Sequence, residues 1–423
     1  MAALSSDQRL TPRVHLATFL PNKEPHQRDW EHRQAEQMDD LRLHDFSDLS
    51  LDEGIALIEA EILDEYLQPH EYPWVIGYSG GKDSTLVAHL VFRALLKLPR
   101  SQRTRQIHIV SNDTLVESPL VIQHIIDSMD QIAEAAIALR LPIVTQITRP
   151  ALSQTFWVNV IGRGYPSPNR NFRWCTDRMK IQPTSAYIKA QIERNETVIL
   201  LLGVRRSESS TRAASVKRYD NGERLNRHND LAGCLVFRPI VELSTDEVWE
   251  YLAENDAPWG GDYRKLIKLY RDAGGGECPV VTQKSDAPSC GSSSSRFGCW
   301  TCTVVDKDRS LEGFVDSGFV EFGPLLDFRD WLVEIRNDPK RRQARRRNGT
   351  ITITDTGTYV PGPFTMETRH EILDRLLLIQ TDQRAELISR EEIEEIRRLW
   401  SAELMAPTRS EAASVNTLVK KVK

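Results

Sequence analysis

A strand-length apolar run, Trp74–Tyr78, leads straight into Ser79-Gly80-Gly81-Lys82-Asp83-Ser84 and then into an apolar-periodic stretch of helical spacing. No other segment constrains the fold as strongly. Two glycines let backbone approach an anion closely, and the following helix N-terminus offers unpaired N–H groups to it. Lys82 adds a point charge, and the hydroxyls of Ser79 and Ser84 add donors. The segment is not a Walker A loop, because position 76 is Ile where that pattern needs Gly and position 83 is Asp where it needs Ser or Thr. The bland alternative is a Gly-rich turn with incidental polar residues.

Further apolar runs at Ile107–Val110, Pro142–Ile147 and Val198–Val204 alternate with helical stretches at Ser84–Leu96, Leu120–Leu139 and Thr184–Arg194. This alternation predicts an α/β fold with an open, mostly parallel sheet, whose ligand sits at the carboxyl ends of the strands. The expected organisation is an N-terminal arm (1–50), a nucleotide domain (51–250), a cysteine-rich region (251–335) and a helical C-terminal part with a basic run (336–423). Ser244–Glu247 reads as a capping box opening a helix, and Met366–Gln380 as an amphipathic helix.

Lys+Arg 55 against Asp+Glu 60 gives a net charge of −5, which excludes a globally basic nucleic-acid coat but not a local patch. No apolar run reaches the roughly 18–20 residues of a membrane span, and the first residues lack an apolar leader core, so a cytoplasmic protein with no membrane partner is expected. Cys278, Cys290, Cys299 and Cys302 form C-x11-C-x8-C-x2-C within a Gly/Ser/Pro-rich stretch. Clustered thiols in such a loop point to metal, which would also order it. Spacing alone leaves structural zinc and a [4Fe–4S] cluster open. Cys234 sits in an apolar strand-like run and reads as core.

Ser79–Ser84 resembles the pyrophosphate loop of the PP-loop ATP pyrophosphatases, an adenine-nucleotide α-hydrolase-like fold. Three further segments are similar to the sulfur-nucleotide branch of that superfamily. They are Arg173-Trp174-Cys175-Thr176 with Arg178, Lys180 and Pro183, then Gly203–Ser209 with Arg212, and Ser111–Thr114 with Glu117. The stretch around Cys299 and Cys302, with flanks at 258–273 and 362–377, resembles the DndC-type DNA phosphorothioation sulfurtransferases; a single-strand relative, SspD, shares the loop.

The resemblance implies ATP with Mg2+, cleavage to AMP and pyrophosphate, a [4Fe–4S] cluster on Cys278, Cys290, Cys299 and Cys302, and DNA as substrate. It also implies a cysteine desulfurase as sulfur donor and DndD- and DndE-like subunits as partners. Nucleotide contacts fall on Ser79, Gly80, Gly81, Lys82, Asp83, Ser84, Asp113, Glu117 and Arg173. Catalytic roles fall on Lys82, Lys180, Arg205, Arg212 and Cys175, the cations stabilising pyrophosphate as it leaves. Each cation alone reads equally well as a solvated charge. Asp113 and Glu117 read equally as Mg2+ or ribose contacts and as turn and helix-start residues. Cys175 stays open between persulfide carrier, cluster ligand and pocket thiol. The run Lys340–Arg347 reads as a solvated helical face or as a phosphate contact, and Arg218, Arg224, Arg227 and His228 as candidate contacts near the cleft. The rivals are sulfate activation or sulfonucleotide reduction, a tRNA thiolase, and a nucleotide-binding scaffold in a DNA-modifying complex.

Overall fold

The computed structural model describes residues 49–208, 210–219, 223–274, 297–353 and 359–405. The proposed arm and two of the proposed metal ligands, Cys278 and Cys290, lie outside the described residues. The first helix, α1 (Leu51–Tyr66), opens on a complete capping box: Glu53 N donates to Ser50 Oγ, and Ser50 N donates to the Glu53 carboxylate at 2.9 Å.

Strand β1 (Trp74–Gly77) follows, then α2 (Lys82–Lys97), β2 (Ile107–Asn112), α3 (Pro119–Leu139), β3 (Ile143–Thr148), α4 (Gln182–Asn195), β4 (Val198–Leu201), α5 (Ser210–Tyr219), β5 (Asn226–Arg227) and β6 (Cys234–Phe237). The six strands lie in the order β3-β2-β1-β4-β6-β5, and every pairing is parallel except that of β5 with β6. The predicted α/β fold with a mostly parallel sheet is therefore present. On β1 and β4, Trp74, Ile76, Ile199 and Leu201 enter one core while Val75, Val198 and Leu200 enter another. Helices cover both faces, which is why these strands read as unbroken apolar runs. Cys234 is in the second core, and burial pushes its thiol up to about 11.

The chain continues through α6 (Thr245–Glu254), α7 (Arg264–Asp272), α8 (Arg309–Asp316), α9 (Gly323–Ile335), a short hairpin of β7 (Thr352–Ile353) and β8 (Tyr359–Val360), α10 (Met366–Gln383) and α11 (Arg390–Met405). The larger core is continuous from Ile55 to Trp400. Indole hydrogen bonds pin the C-terminal helices to it: Trp157 Nε1 donates to Leu387 O at 2.7 Å and Trp400 Nε1 to Ile161 O at 3.0 Å. Among the described residues, no helix is long and apolar enough to cross a membrane.

Behind the phosphate loop, His89 of α2 is 2% exposed and bridges two tyrosines. Arg93 Nη1 donates to Tyr251 OH at 2.6 Å, so Tyr251 turns its own hydrogen to His89 Nε2 at 3.0 Å, and Nδ1–H serves Tyr263 OH at 2.7 Å. Burial pulls His89 down to about 3. In the unfolded chain it titrates near 6.5, so only the unfolded state takes up this proton between pH 6.5 and 3, and stability falls as pH drops through that window. From pH 7 to pH 5 the expected loss through His89 is about 2 kcal/mol. Denaturant unfolding at both pH values should show that much less acid sensitivity in His89→Gln; equal sensitivity would refute the assignment.

Candidate active site

The phosphate loop forms because β1 ends where α2 must begin, and only glycine fits between. Gly80 has φ +70°, and a Cβ there would stand 2.6 Å from Ile125 Cγ1. Gly81 is the N-cap of α2, and no side chain caps that helix. Its first N–H groups are therefore left for a hydroxyl or an anion. Ser84 Oγ accepts from Ser79 N at 3.1 Å and donates to Gly81 O at 3.0 Å, which closes the loop on itself. His124 Nε2 donates to Gly80 O at 3.1 Å, and burial holds this imidazole neutral, below its ordinary value. Lys82 is 3% exposed, with Nζ 3.4 Å from Asp83 Oδ2 and 5.6 Å from the centre of the Tyr270 ring. The site thus offers two backbone-exposing glycines, a buried ammonium and the exposed Ser79 hydroxyl, a donor set that fits a polyphosphate, with Ser84 shaping the loop.

Arg205 was expected to face pyrophosphate directly. Its side chain is fully enclosed instead: Nε donates to Asp83 Oδ1 at 2.7 Å, Nη1 to Ser207 Oγ at 2.8 Å and Leu243 O at 3.2 Å, and Nη2 to Thr245 Oγ1 at 3.1 Å. Gly203 comes so close to the loop that a Cβ would lie 2.8 Å from the Asp83 carbonyl. The end of β4 is thereby fastened to the start of α2, and Arg205 acts through Asp83. This is also why β4 stops at Leu201, short of the predicted Val204.

The thiols lie at the same carboxyl end of the sheet, beyond β2. Cys299 pairs as a β-bridge with Glu117, and Cys302 N donates to Cys299 O at 2.9 Å in a tight CxxC turn. Thr114 Oγ1 is 3.3 Å from Cys299 Sγ, and Lys180 Nζ is 3.2 Å from Glu117 Oε1. Coupling to the Cys299 thiol as it ionises, and the Glu117 carboxylate beside it, hold the Lys180 ammonium above its ordinary range. Burial raises Cys299, and the Glu117 carboxylate adds to it. Cys175 is also raised by burial, and Cys302 is close enough for its charge to reinforce the shift. Lys180 follows Cys175 through a π-helical turn, Thr176–Ile181, held to β2 by Asn112 Nδ2 donating to Met179 O at 2.8 Å; such turns recur at functional sites. The structure therefore gathers Cys175, Cys299, Cys302, Lys180 and Glu117. Their donor chemistry suits thiolate ligation, although among the described residues no three His, Cys, Asp or Glu are arranged to hold a metal ion.

Both oxygens of Asp113 are engaged, accepting from Leu115 N at 2.8 Å and Arg149 Nε at 2.9 Å, as a turn residue's would be. Arg173 is exposed beside Cys175. Arg212 lies on α5, with its side chain outside the description. Arg224 is drawn away into an ion-pair cluster with Glu61, Asp64 and Glu65 of α1. Arg227 and His228 line a cleft with Thr197 and Gly233 at the amino ends of β4 and β6, opposite the phosphate loop.

Three residues of the site escaped sequence reasoning because they arrive from far along the chain. The Tyr270 hydroxyl accepts from Lys82 N at 3.3 Å, and its ring meets Phe297 at 4.5 Å. Arg329, fully buried, donates to the carbonyls of Cys302 and Asp306 at 2.8 Å and to that of Val305, fixing the CxxC turn. Arg336 Nη1 donates to Thr303 O at 2.7 Å.

Residues 73–305 match the phosphoadenosine phosphosulfate reductase domain. An uncharacterized protein of Methanocaldococcus jannaschii is 28% identical over 193 residues, which are 46% of this chain and 34% of the relative, so the match spans about a third of that relative's length. Among solved structures, phosphoadenylyl-sulfate reductase from Candida auris covers 55% of this chain and 91% of its own at 16% identity and a TM-score of 0.34. The U34-tRNA thiolase NcsA of Methanococcus maripaludis, with its [4Fe-4S] cluster, covers 67% and 80% at 13% identity and 0.31. FMN adenylyltransferase of Candida glabrata covers 56% and 66% at 11% identity and 0.32. The family match takes in both the phosphate loop and the CxxC turn, and the chain belongs to the phosphoadenosine phosphosulfate reductase domain family.

Proposed function

We propose that this chain is an ATP pyrophosphatase of a DNA phosphorothioation system, which adenylates a backbone phosphate so that sulfur can replace a non-bridging oxygen. One observation carries the reading: a glycine-built phosphate loop with a buried lysine and the Cys299–Cys302 turn lie at the same carboxyl edge of one sheet. Lys82, with the N–H groups at the start of α2, would hold the β and γ phosphates, and Mg2+ bound with the nucleotide would neutralise further charge. The acceptor oxygen attacks the α-phosphorus and pyrophosphate leaves. Hydrosulfide-level sulfur then attacks the activated DNA phosphorus, AMP departs with the former non-bridging oxygen, and loss of the S–H proton leaves the phosphorothioate. Arg205 keeps Asp83 and the loop in place, and the Lys180–Glu117 pair keeps a fixed cation beside the thiols.

Cys299 and Cys302 are the ligands we assign to a cluster, with Cys175 as their neighbour and Cys278 and Cys290 as the sequence's further candidates. A [4Fe–4S] cluster bound there would supply sulfur and redox chemistry; zinc would supply only a clip. A cysteine desulfurase and DndD- and DndE-like subunits are the proposed partners in the cytoplasm.

The family match also favours a second reading, sulfonucleotide reduction. The two readings differ in product. The anaerobically purified protein with ATP, Mg2+ and DNA should release AMP and pyrophosphate and contain roughly four irons with matching sulfide. ADP as product would overturn the proposal, and reduction of an adenylylated sulfate to sulfite without ATP cleavage would establish the second reading.

A further inference from the structure

The basic run Lys340–Arg347 is not a helical face. Two of its six cations are structural. Arg341 pairs with Glu371 and lies over Trp331, and Arg342 is buried over Phe364, donating to Gly362 O at 2.6 Å and Arg336 O at 2.5 Å. Burial lowers Arg342 to about 10. The next three, Arg345, Arg346 and Arg347, are all exposed.

Their backbone is not loose. Arg346 N donates to Thr350 O at 2.8 Å, Gly349 N to Arg346 O at 2.7 Å, and Tyr359 OH to Ala344 O at 2.6 Å. A tight turn therefore carries three adjacent exposed arginines on a fixed backbone, with Arg345 Nη1 donating back to Gly349 O at 3.1 Å. It does so at a definite place, since Arg347 Nη1 donates to Arg163 O at 3.4 Å. Arg163 and Arg178 both donate to Asn159 Oδ1 at 3.2 Å, and Arg178 lies 5.2 Å from the centre of the Tyr165 ring. Tyr165 in turn packs edge-on against Trp174, whose next residue is Cys175. Like-charge crowding is real here: Arg178 and Arg347 both lower Arg163, to which burial contributes most and which Tyr165 and Glu395 oppose. The nearby acids are already engaged, Glu403 by Arg369 at 2.7 Å and Glu395 by Arg398 at 2.6 Å. In a chain of net charge −5, such a strip is a local positive patch of the kind a polyanion would meet.

We propose that Arg345, Arg346 and Arg347 form a phosphate contact that holds a nucleic-acid backbone where Arg163, Arg178, Tyr165 and Trp174 lead through the chain to Cys175, Arg163 and Arg178 themselves being spent on the internal oxygens of Ser153, Gln154 and Asn159. The inference rests on the DNA-substrate reading above and adds where that substrate lies. Guanidinium groups on a rigid turn grip phosphates without reading bases, so the contact supplies affinity and register while sequence choice falls to other subunits.

The test is binding of a labelled DNA duplex as a function of salt, using the full chain and the combined Arg345→Ala, Arg346→Ala, Arg347→Ala variant. Each lost phosphate contact flattens the slope of log K against log salt by about 0.9, so the variant should lose about 2 to 3 of slope and about 10- to 100-fold of affinity at low salt. Lys189→Ala with Arg194→Ala removes two exposed cations of α4 and should leave the slope unchanged. Thermal melting should match the wild type in both variants. A wild type that does not bind DNA, an unchanged slope in the triple variant, or an equal loss in the α4 control would each overturn the contact. Failure of the wild type to make AMP from ATP would count against the proposed function while the salt slope still decides the contact.

Discussion

Replacing Arg205 with Met should destabilise the protein by about 3–5 kcal/mol, the largest stability effect expected of a site residue. The side chain has no exposed surface, and its forked donors meet four oxygens of three different segments. Removing it takes one of the two cations from the Asp83 carboxylate, with Lys82 remaining, and leaves the hydroxyls of Ser207 and Thr245 to repartner. Lysine should not rescue, because one ammonium cannot span a fork built for guanidinium. If the carboxylate's loss of that cation is the main cost, Asp83→Asn should restore at least about 1 kcal/mol in the Arg205→Met background while destabilising the wild type. Chemical denaturation of the four proteins closes the cycle. Independent, additive effects of the two changes would show that Arg205 is not holding the loop through Asp83.

The same residue shows where sequence reasoning stops. The phosphate loop was legible because its logic is local: strand, two glycines, lysine, helix, all within a dozen residues. The capping boxes at Ser50 and Ser244 were legible for that reason too. The parallel sheet followed from apolar runs with no polar alternation. What a cation faces is decided by distant chain. Arg205 is recognisable in the motif, but that it turns inward depends on Asp83, Leu243 and Thr245 meeting it. Arg224 reads like a surface arginine until the acids Glu61, Asp64 and Glu65 of α1 surround it. The basic run looked uniform, yet Trp331 and Phe364 take two of its six cations and leave Lys340 and three arginines for solvent. Tyr270, His124 and Arg329 carry no local signal at all. Their roles exist only because α7, α3 and α9 pack where they do.

Replacing Lys82 with Met should lower the rate of AMP and pyrophosphate formation by about 10²- to 10³-fold, the range typical for removing one preorganised group that faces developing charge. Methionine keeps an unbranched apolar stem beside the Tyr270 ring, so the loop should stay folded and the loss should be read in turnover. The ammonium stands at the opening of α2, where helix N–H groups and charge act on the same anion. In a site that excludes water, a fixed charge is worth far more than in solution. Lys82→Arg should recover little, because Lys82 is 3% exposed between Asp83 and the Tyr270 ring, and a larger planar guanidinium would present its charge at a different point. Quantifying labelled AMP release under saturating ATP and Mg2+ decides the matter. Turnover within about threefold of wild type would remove Lys82 from the chemistry. Loss of ATP binding with DNA modification intact would make the cradle a sensor, and the chain a scaffold for the chemistry of another subunit.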